Sequence, residues 1–584
     1  MGLTHHLRAR AAHLSCLAYL ALCAAFLVLA TSASAKEPER SVPDDFIFEN
    51  GRVADGTGAP LFAADVAISG GRVVAIGRLV GRAAKRRIDA SGLVVAPGFI
   101  DLLGQSEYNV LVDKRAASKI TQGITTEVTG EGDSIAPMDA KALEDGKDTW
   151  SKYGVYPDWT TLDGYFRSLE RRGTAINLAT FVGSGSVRAM VMGEEKRAAT
   201  DAEIEKMKAI VDQAMREGAL GVSSALQYVP NIYSSTDELV ALAKVAAKYG
   251  GAYFTHQRSE SSRIDESLDE VFRIAKESGA RTHVWHLKTA YKPNFGRMPL
   301  ILKRIEDARA QGVDVAANQY PYTRAANGLG ANLPPWVREG GREALLKRLA
   351  DPEIRNRVKA DMDRASDDWE NQWLGAGGAE GVMIAIVLAE SLKPLEGKTI
   401  AQIAIEQKKD PRDVVIDVVI ADRGNTGCII SIMDEADVRV ALAHPLVSFG
   451  TDAPAAAVDG IYAKEGGHPR GWGSTARILG HYVREEKVLR LEEAIRKMTS
   501  FAAEAAGLPD RGLVKVGFPA DLAVFDPKTV RDRSTYTQVH QYSEGIPYVA
   551  VNGVLVVDGG RITGATPGRA LRGPGWLGRA ETAQ

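Results

Sequence analysis

The chain has 584 residues, of which 45% are hydrophobic and 25% charged, with a formal net charge of −2. These proportions exclude a disordered chain and a multi-span membrane protein, and the near-neutral charge gives no ground for a nucleic-acid or anionic-membrane partner. The length exceeds one ordinary core but suits a large barrel with an appended domain, since barrels run from about 200 to over 400 residues.

In chain order, residues 1–35 stand apart. Arg8 and Arg10 precede an apolar run from Leu14 to Leu29, and Ala33-Ser34-Ala35 then offers small residues for cleavage, so the segment reads as a secretory signal peptide and the mature chain as periplasmic or secreted. A retained membrane anchor is the competing reading, with a run near the lower limit for a span. Cleavage removes Cys16 and Cys23 and leaves only Cys428, so no internal disulfide can form.

From Asp45 to about Gly92, short strands alternate with glycine turns: Phe46-Ile-Phe, Val66-Ala-Ile, and Val73-Val-Ala-Ile after Gly70-Gly71. The same texture returns in Asp521-Leu-Ala-Val-Phe, in Val549-Ala-Val before Asn552-Gly553, and in Val554-Leu-Val-Val. Residues 42–97 and 505–572 are therefore expected to pair into one small, discontinuous β-sandwich domain. Between them, in residues 98–504, β-branched runs alternate with helical stretches such as Asp201 to Glu217 and Thr236 to Tyr249, the pattern of a parallel sheet wrapped by helices. Eight strands ending near Leu103, Thr129, Val182, Ser223, His256, His286, Gln319 and Asp452 make an α/β chain with a distorted (β/α)8 TIM barrel. The long interval between the last two predicts an insertion at about 325–425, positioned to cover the barrel mouth. The tail beyond Arg572 reads as a loose end.

Catalytic groups of such barrels sit at the C-terminal ends of strands. There the sequence puts Glu131 after Thr125-Thr-Glu-Val-Thr-Gly, His256 after Ala252-Tyr-Phe-Thr, His286 after Thr282-His-Val-Trp, and Asp452 after Val447-Ser-Phe-Gly-Thr. Two histidines and a carboxylate suffice for zinc and leave its fourth position open. Asp452 is then placed to take a proton from the water that such a metal activates. His283 lies three residues before His286, so strand alternation turns it the other way and makes it structural.

Over most of its length the chain resembles the N-acyl-D-amino-acid deacylases, or D-aminoacylases, of the amidohydrolase superfamily. Ala96-Pro-Gly-Phe-Ile-Asp101 is the usual superfamily opening, and the narrower likeness lies in Gly218-Ala-Leu-Gly-Val-Ser-Ser, Gly250-Gly-Ala-Tyr-Phe-Thr-His256, Tyr320-Pro-Tyr322, His468-Pro-Arg470, Leu491 to Ser500 and Gly517-Phe-Pro-Ala-Asp521. The resemblance implies that His256 and His286 bind the metal and that Asp452 is the base. It gives Lys288, Tyr320 and Arg470 the substrate's carboxylate or carbonyl to hold.

The pattern breaks in two places. Where the superfamily continues with His-x-His, this chain has Leu103-Gly104-Gln105, so a two-metal site is not expected. Where D-aminoacylases show Gly-Asn-Cys-Gly, it has Gly130-Glu131-Gly132-Asp133, which makes Glu131 the third ligand, with Asp133 in reserve. Ser184, where histidine is common, and Ala325-Ala-Asn, in place of Ala-Gly-Ser, point to a changed pocket. The expectation is an enzyme with one Zn²⁺ per chain that hydrolyses an amide bond, deacylating N-acyl-D-amino acids or related small N-acyl compounds, with no nucleic-acid partner and no membrane partner after cleavage. A cyclic-amide hydrolase or dipeptidase competes, though no lysine at a strand end suits the bridging carboxylate those enzymes often use. So does a non-catalytic exported binding protein on the same scaffold, a reading that the lost His-x-His favours and the retained His256, His286 and Asp452 oppose.

Overall fold

The computed structural model describes residues 42–366, 369–576 and 578, and the leader expected over residues 1–35 lies outside them. Among the described residues no helix is long and apolar enough to cross a membrane.

Eight parallel strands form the barrel. They are β1 (Phe99–Asp101), β2 (Ile124–Thr129), β3 (Asn177–Thr180, resuming at Val182–Gly183), β4 (Gly221–Ala225), β5 (Ala252–His256), β6 (Arg281–Val284), β7 (Val315–Gln319) and β8 (Val447–Phe449). Pairing runs from β1 through β2 to the first part of β3, and from its second part through β4, β5, β6 and β7 to β8. At the break in β3, Phe181 N–H donates to Thr129 O (3.0 Å). The ring closes between β8 and β1, where Leu102 N–H donates to Phe449 O (3.3 Å) and Gly104 bridges Ala453 in parallel. β2, β4, β5 and β7 are buried at every position, as strands covered on both faces must be, which is why they read as continuous β-branched and small apolar runs.

The helices outside the barrel carry their own start and stop signals. Asp201–Glu217 begins at a capping box made by Thr200 and Glu203 and ends at Gly218, whose φ of 108° few other residues adopt. Thr236–Lys248 begins under the Ser235 side chain and stops one residue short of Tyr249.

The expected strand ends at Thr129, His256 and Gln319 coincide with the observed ones; the other five differ by one to three residues, and two of those differences bear on the site. β6 stops two residues before His286 and β8 three before Asp452. Both residues lie in turns with positive φ, 35° for His286 and 51° for Asp452. For a non-glycine residue this backbone costs about 1–2 kcal/mol. It also overturns the alternation argument for His283. Val284 packs outward on Ile264, Leu268 and Met298, while His283 and Trp285 face inward onto Phe254. Strict alternation would send His286 outward with Val284. The turn brings it back in, so His283 and His286 both face the barrel axis, at different depths.

The small domain is one nine-stranded sheet formed by strands from Phe46 to Pro97 and from Leu522 to Ile562. Val94–Pro97 and Leu522–Phe525 join the two segments antiparallel, and Val66, Ile68, Leu522 and Val524 share one core beneath the folded sheet. Gly71 and Gly553 touch there, and a Cβ on Gly553 would lie 2.5 Å from the Gly71 Cα. After Ile562 the chain leaves this sheet for the barrel: Leu571 N–H donates to Leu178 O and Gly573 N–H to Gly218 O, both at 2.8 Å. The stretch just past Arg572 is therefore held, and the expected loose end cannot begin there. Between β7 and β8, the strands Arg324–Gly328, Val382–Ile386 and Gly427–Ser431 form an antiparallel sheet with its own core around Leu329, Val337, Trp373 and Val415.

Candidate metal centre

Glu131, His256, His286, Lys288, Tyr320, Asp452 and Arg470 line one cavity of about 410 Å³ at the C-terminal ends of the strands. Glu131 reaches it from the loop after β2. Gly132, aligned with the family's cysteine, has φ 68°, and a Cβ there would lie 2.6 Å from the Ala225 amide nitrogen. That position cannot carry a side chain, so the donor comes from its neighbour. Asp133 is exposed and does not line the cavity.

One oxygen of Glu131, Oε1, faces both imidazoles, 3.1 Å from His256 Nδ1 and 2.9 Å from His286 Nε2. The possible ligand atoms of the three residues all lie within 4.8 Å of one another. One carboxylate and two imidazoles at this spacing fit a zinc ion at the usual 2.0–2.2 Å (roughly) from each donor. Burial disfavours the Glu131 charge, yet the two histidines outweigh it and hold the carboxyl well below its ordinary range.

The turn at His286 is fixed by Asn318, whose Oδ1 accepts from His286 N–H at 2.6 Å. Its Nδ1 lies 3.1 Å from Glu260 Oε1 and 2.7 Å from Lys288 Nζ, and Lys288 donates to the same Glu260 oxygen at 2.5 Å. Lys288 is a donor only, so the two contacts of Nδ1 exclude each other. The tautomer protonated on Nδ1 donates to Glu260 and leaves Nε2 free for a cation, the usual carboxylate–histidine support of a metal ligand, and Lys288 is then held through Glu260 alone. Glu260 escaped the sequence reading. Its signal was spacing: it is a carboxylate four residues after His256, in His256-Gln-Arg-Ser-Glu260.

Asp452 is held from both sides. Lys119, fully buried, donates to Asp101 (2.8 Å), Thr451 (2.7 Å) and the Ala453 carbonyl (2.8 Å), tying the Asp452 turn to β1. Asp452 Oδ2 pairs with Arg470 Nη1 at 2.8 Å, and Oδ1 accepts from Gln105 at 3.4 Å. Burial raises the Asp452 carboxyl above its ordinary range and the Glu131 charge adds to this, with Arg470 opposing. The Arg470 guanidinium lies 4.7 Å from the Tyr320 ring centroid, and Arg470 Nε and the Tyr320 hydroxyl are buried with no hydrogen-bond partner among the described residues. Ser184, by contrast, bonds Asn231 at 2.7 Å and does not line the cavity.

A family model, described as the amidohydrolase family, matches residues 86–557. D-aminoacylase from Alcaligenes xylosoxydans xylosoxydans is 35% identical over 532 residues, covering 91% of this chain and 98% of that protein. Among solved structures, N-acyl-D-glutamate deacylase from Bordetella bronchiseptica, complexed with zinc and a phosphonate that mimics the tetrahedral intermediate, is 31% identical with a TM-score of 0.75, covering 91% of this chain and all of that one. A D-aminoacylase structure, 34% identical with a TM-score of 0.75 and the same coverage, is described by its binuclear metal center, with one-metal activation and second-metal attenuation.

Proposed function

The chain belongs to the amidohydrolase family and is a metal-dependent hydrolase of amide bonds; on that premise we propose that it is a single-zinc deacylase of N-acyl-D-amino acids, with Glu131, His256 and His286 as ligands and Asp452 as general base. The observation that carries this reading is the separation of roles inside one cavity: three donors face one another, while Asp452 stands apart, paired with Arg470.

Glu131, His256 and His286 would hold the zinc, which when bound would supply Lewis acidity to a water and to the amide carbonyl. Asp452, ionised beside Arg470, accepts the proton of the attacking water and delivers it to the leaving nitrogen, so that one amide and one water become a carboxylic acid and an amine. Arg470 and Tyr320 hold the substrate's carboxylate, for which the unpartnered Nε–H and hydroxyl are available donors. Lys288 was expected to share that task, but its ion pair with Glu260 ties it to the carboxylate that supports His286.

The rest of the cavity selects what the substrate carries further out. Ala325, Ala385, Ile386, Cys428, Ile430 and Ile432 form an apolar wall, and the cations among its described lining residues are Lys288 and Arg470. Glu260 and Glu370 add negative charge. A neutral, apolar group suits this wall, whereas an acidic side chain would be buried unpaired. The proposal also keeps the exported location read from residues 1–35.

A panel of N-acetyl amino acids, both stereoisomers of each, incubated with zinc-loaded enzyme, tests the reading. Hydrolysis of neutral D-substrates, with L-isomers and D-glutamate derivatives turned over far more slowly, is the expected result. A preference for L-isomers, or no hydrolysis of any member, would contradict it.

A further inference from the structure

Gln105 stands where a superfamily histidine is missing, and its contacts give it a task. Its Nε2 donates to Glu131 Oε2 at 2.7 Å and to Asp452 Oδ1 at 3.4 Å. These are the oxygens the rest of the site leaves over: Glu131 Oε1 faces the two histidines and Asp452 Oδ2 faces Arg470. Beside it, Leu103 is fully buried and has no ligand atom.

We infer that the Gln105 carboxamide is a neutral stand-in for a second cation, a positioning residue that bridges the Glu131 and Asp452 carboxylates and keeps the centre at one metal. Two carboxylates converging in a buried cavity repel each other, and something must donate to both. A second metal ion would supply positive charge. A primary amide supplies two N–H donors from a single nitrogen without adding charge, so one Gln105 serves both acceptors at once. The bridge aims Glu131 Oε1 at the imidazoles and sets the direction of Asp452. Because no second charge is added, Asp452 stays the more basic.

The inference rests on the single-zinc reading, and metal content separates the failure of one from the failure of the other. Purified full-length protein is dialysed against excess zinc, and bound zinc, zinc affinity, kcat and KM are measured for the natural chain and two variants. The natural chain should hold one equivalent of zinc. Gln105→Leu should still hold one, bound about 10- to 100-fold more weakly and with lowered kcat, at unchanged KM. Gln105→Glu keeps the shape, which guards against misfolding, and replaces the donors with a third carboxylate. It should take up a second equivalent. Two equivalents in the natural chain would overturn the single-zinc reading and the inference with it. One equivalent in the natural chain, with Gln105→Leu unchanged in affinity and kcat or Gln105→Glu still at one equivalent, would overturn the role of Gln105 alone.

Discussion

The mouth of the barrel and its interior are built by the same strands, yet they handle polar groups in opposite ways. In the interior, Phe181, Phe254 and Trp285 pack with ring centroids 4.5–5.8 Å apart, and His283 stacks on Phe254 at 4.6 Å with neither ring nitrogen bonded among the described residues. Burial pushes that imidazole down to about 3, so it behaves as a flat apolar ring. Three residues on, His286 sits between Glu131 and Glu260; burial and Lys288 push its pKa down, but with no cation at Nε2 the two carboxylates raise it to about 9. What separates the two histidines is the turn at positive φ and the partners it reaches, not residue type. A strand end becomes a site where the backbone is bent and every charge is paired.

The comparison is broken most severely at Asp452. Asp452→Asn keeps size and packing but cannot accept a proton, so kcat should fall by about 10² to 10⁴ while zinc stays bound; kinetics and elemental analysis on one preparation check this. Loss of zinc along with activity would make Asp452 a ligand. Near-normal turnover would put the base elsewhere.

Glu260→Gln weakens the support of His286 without touching the facing donors. Zinc affinity should drop about 10- to 100-fold, as when other outer partners of metal ligands are removed. Competition with a chelator of known affinity measures it. If Lys288→Ala produces a similar drop, Lys288 belongs with Glu260; if it raises KM for carboxylate substrates and leaves affinity intact, the family-like assignment stands.

Arg470→Ala should raise KM by roughly tenfold to a hundredfold for substrates with a free carboxylate, the loss of a charged contact of about 1.5–3 kcal/mol, and by far less for the corresponding amides. Equal losses for both would make Arg470 a partner of Asp452 alone.

His283→Phe, in the interior, should change turnover least. The folded value of about 3 lies below the ordinary 6.5, so the unfolded chain binds the extra proton. The natural protein should therefore lose stability as pH falls from 6.5 towards 3, by up to about 1.4 kcal/mol per pH unit, and keep it above 6.5. Urea unfolding at pH 7 and pH 5 should show a shallower pH dependence in His283→Phe. An unchanged dependence would mean that His283 is not the group responsible.

Much of this architecture was legible in the sequence because strands covered on both faces leave β-branched runs, and because His256, His286 and Asp452 sit at or just past the ends of such runs. At position 132 the glycine left a carboxylate on either side as a candidate donor, Glu131 and Asp133, and of the two only Glu131 lines the cavity. Other features were hidden. Alternation gave no hint that the chain bends at His286, since the bend is fixed by Asn318, distant in sequence. The resemblance gave Lys288 to the substrate, because its partner here, Glu260, lies on a different strand's loop. Gln105 looked like a lost ligand, and its two acceptors are visible only once β1, β2 and β8 are brought together.

The central claim is a centre complete with one zinc. Metal-free protein titrated with zinc, while hydrolysis of an N-acetyl-D-amino acid with an apolar side chain is followed, tests it most directly. Activity should rise in proportion to zinc, reach its plateau at one equivalent per chain and stay level as more is added. A plateau reached only at two equivalents, or a fall in activity beyond the first, would contradict it.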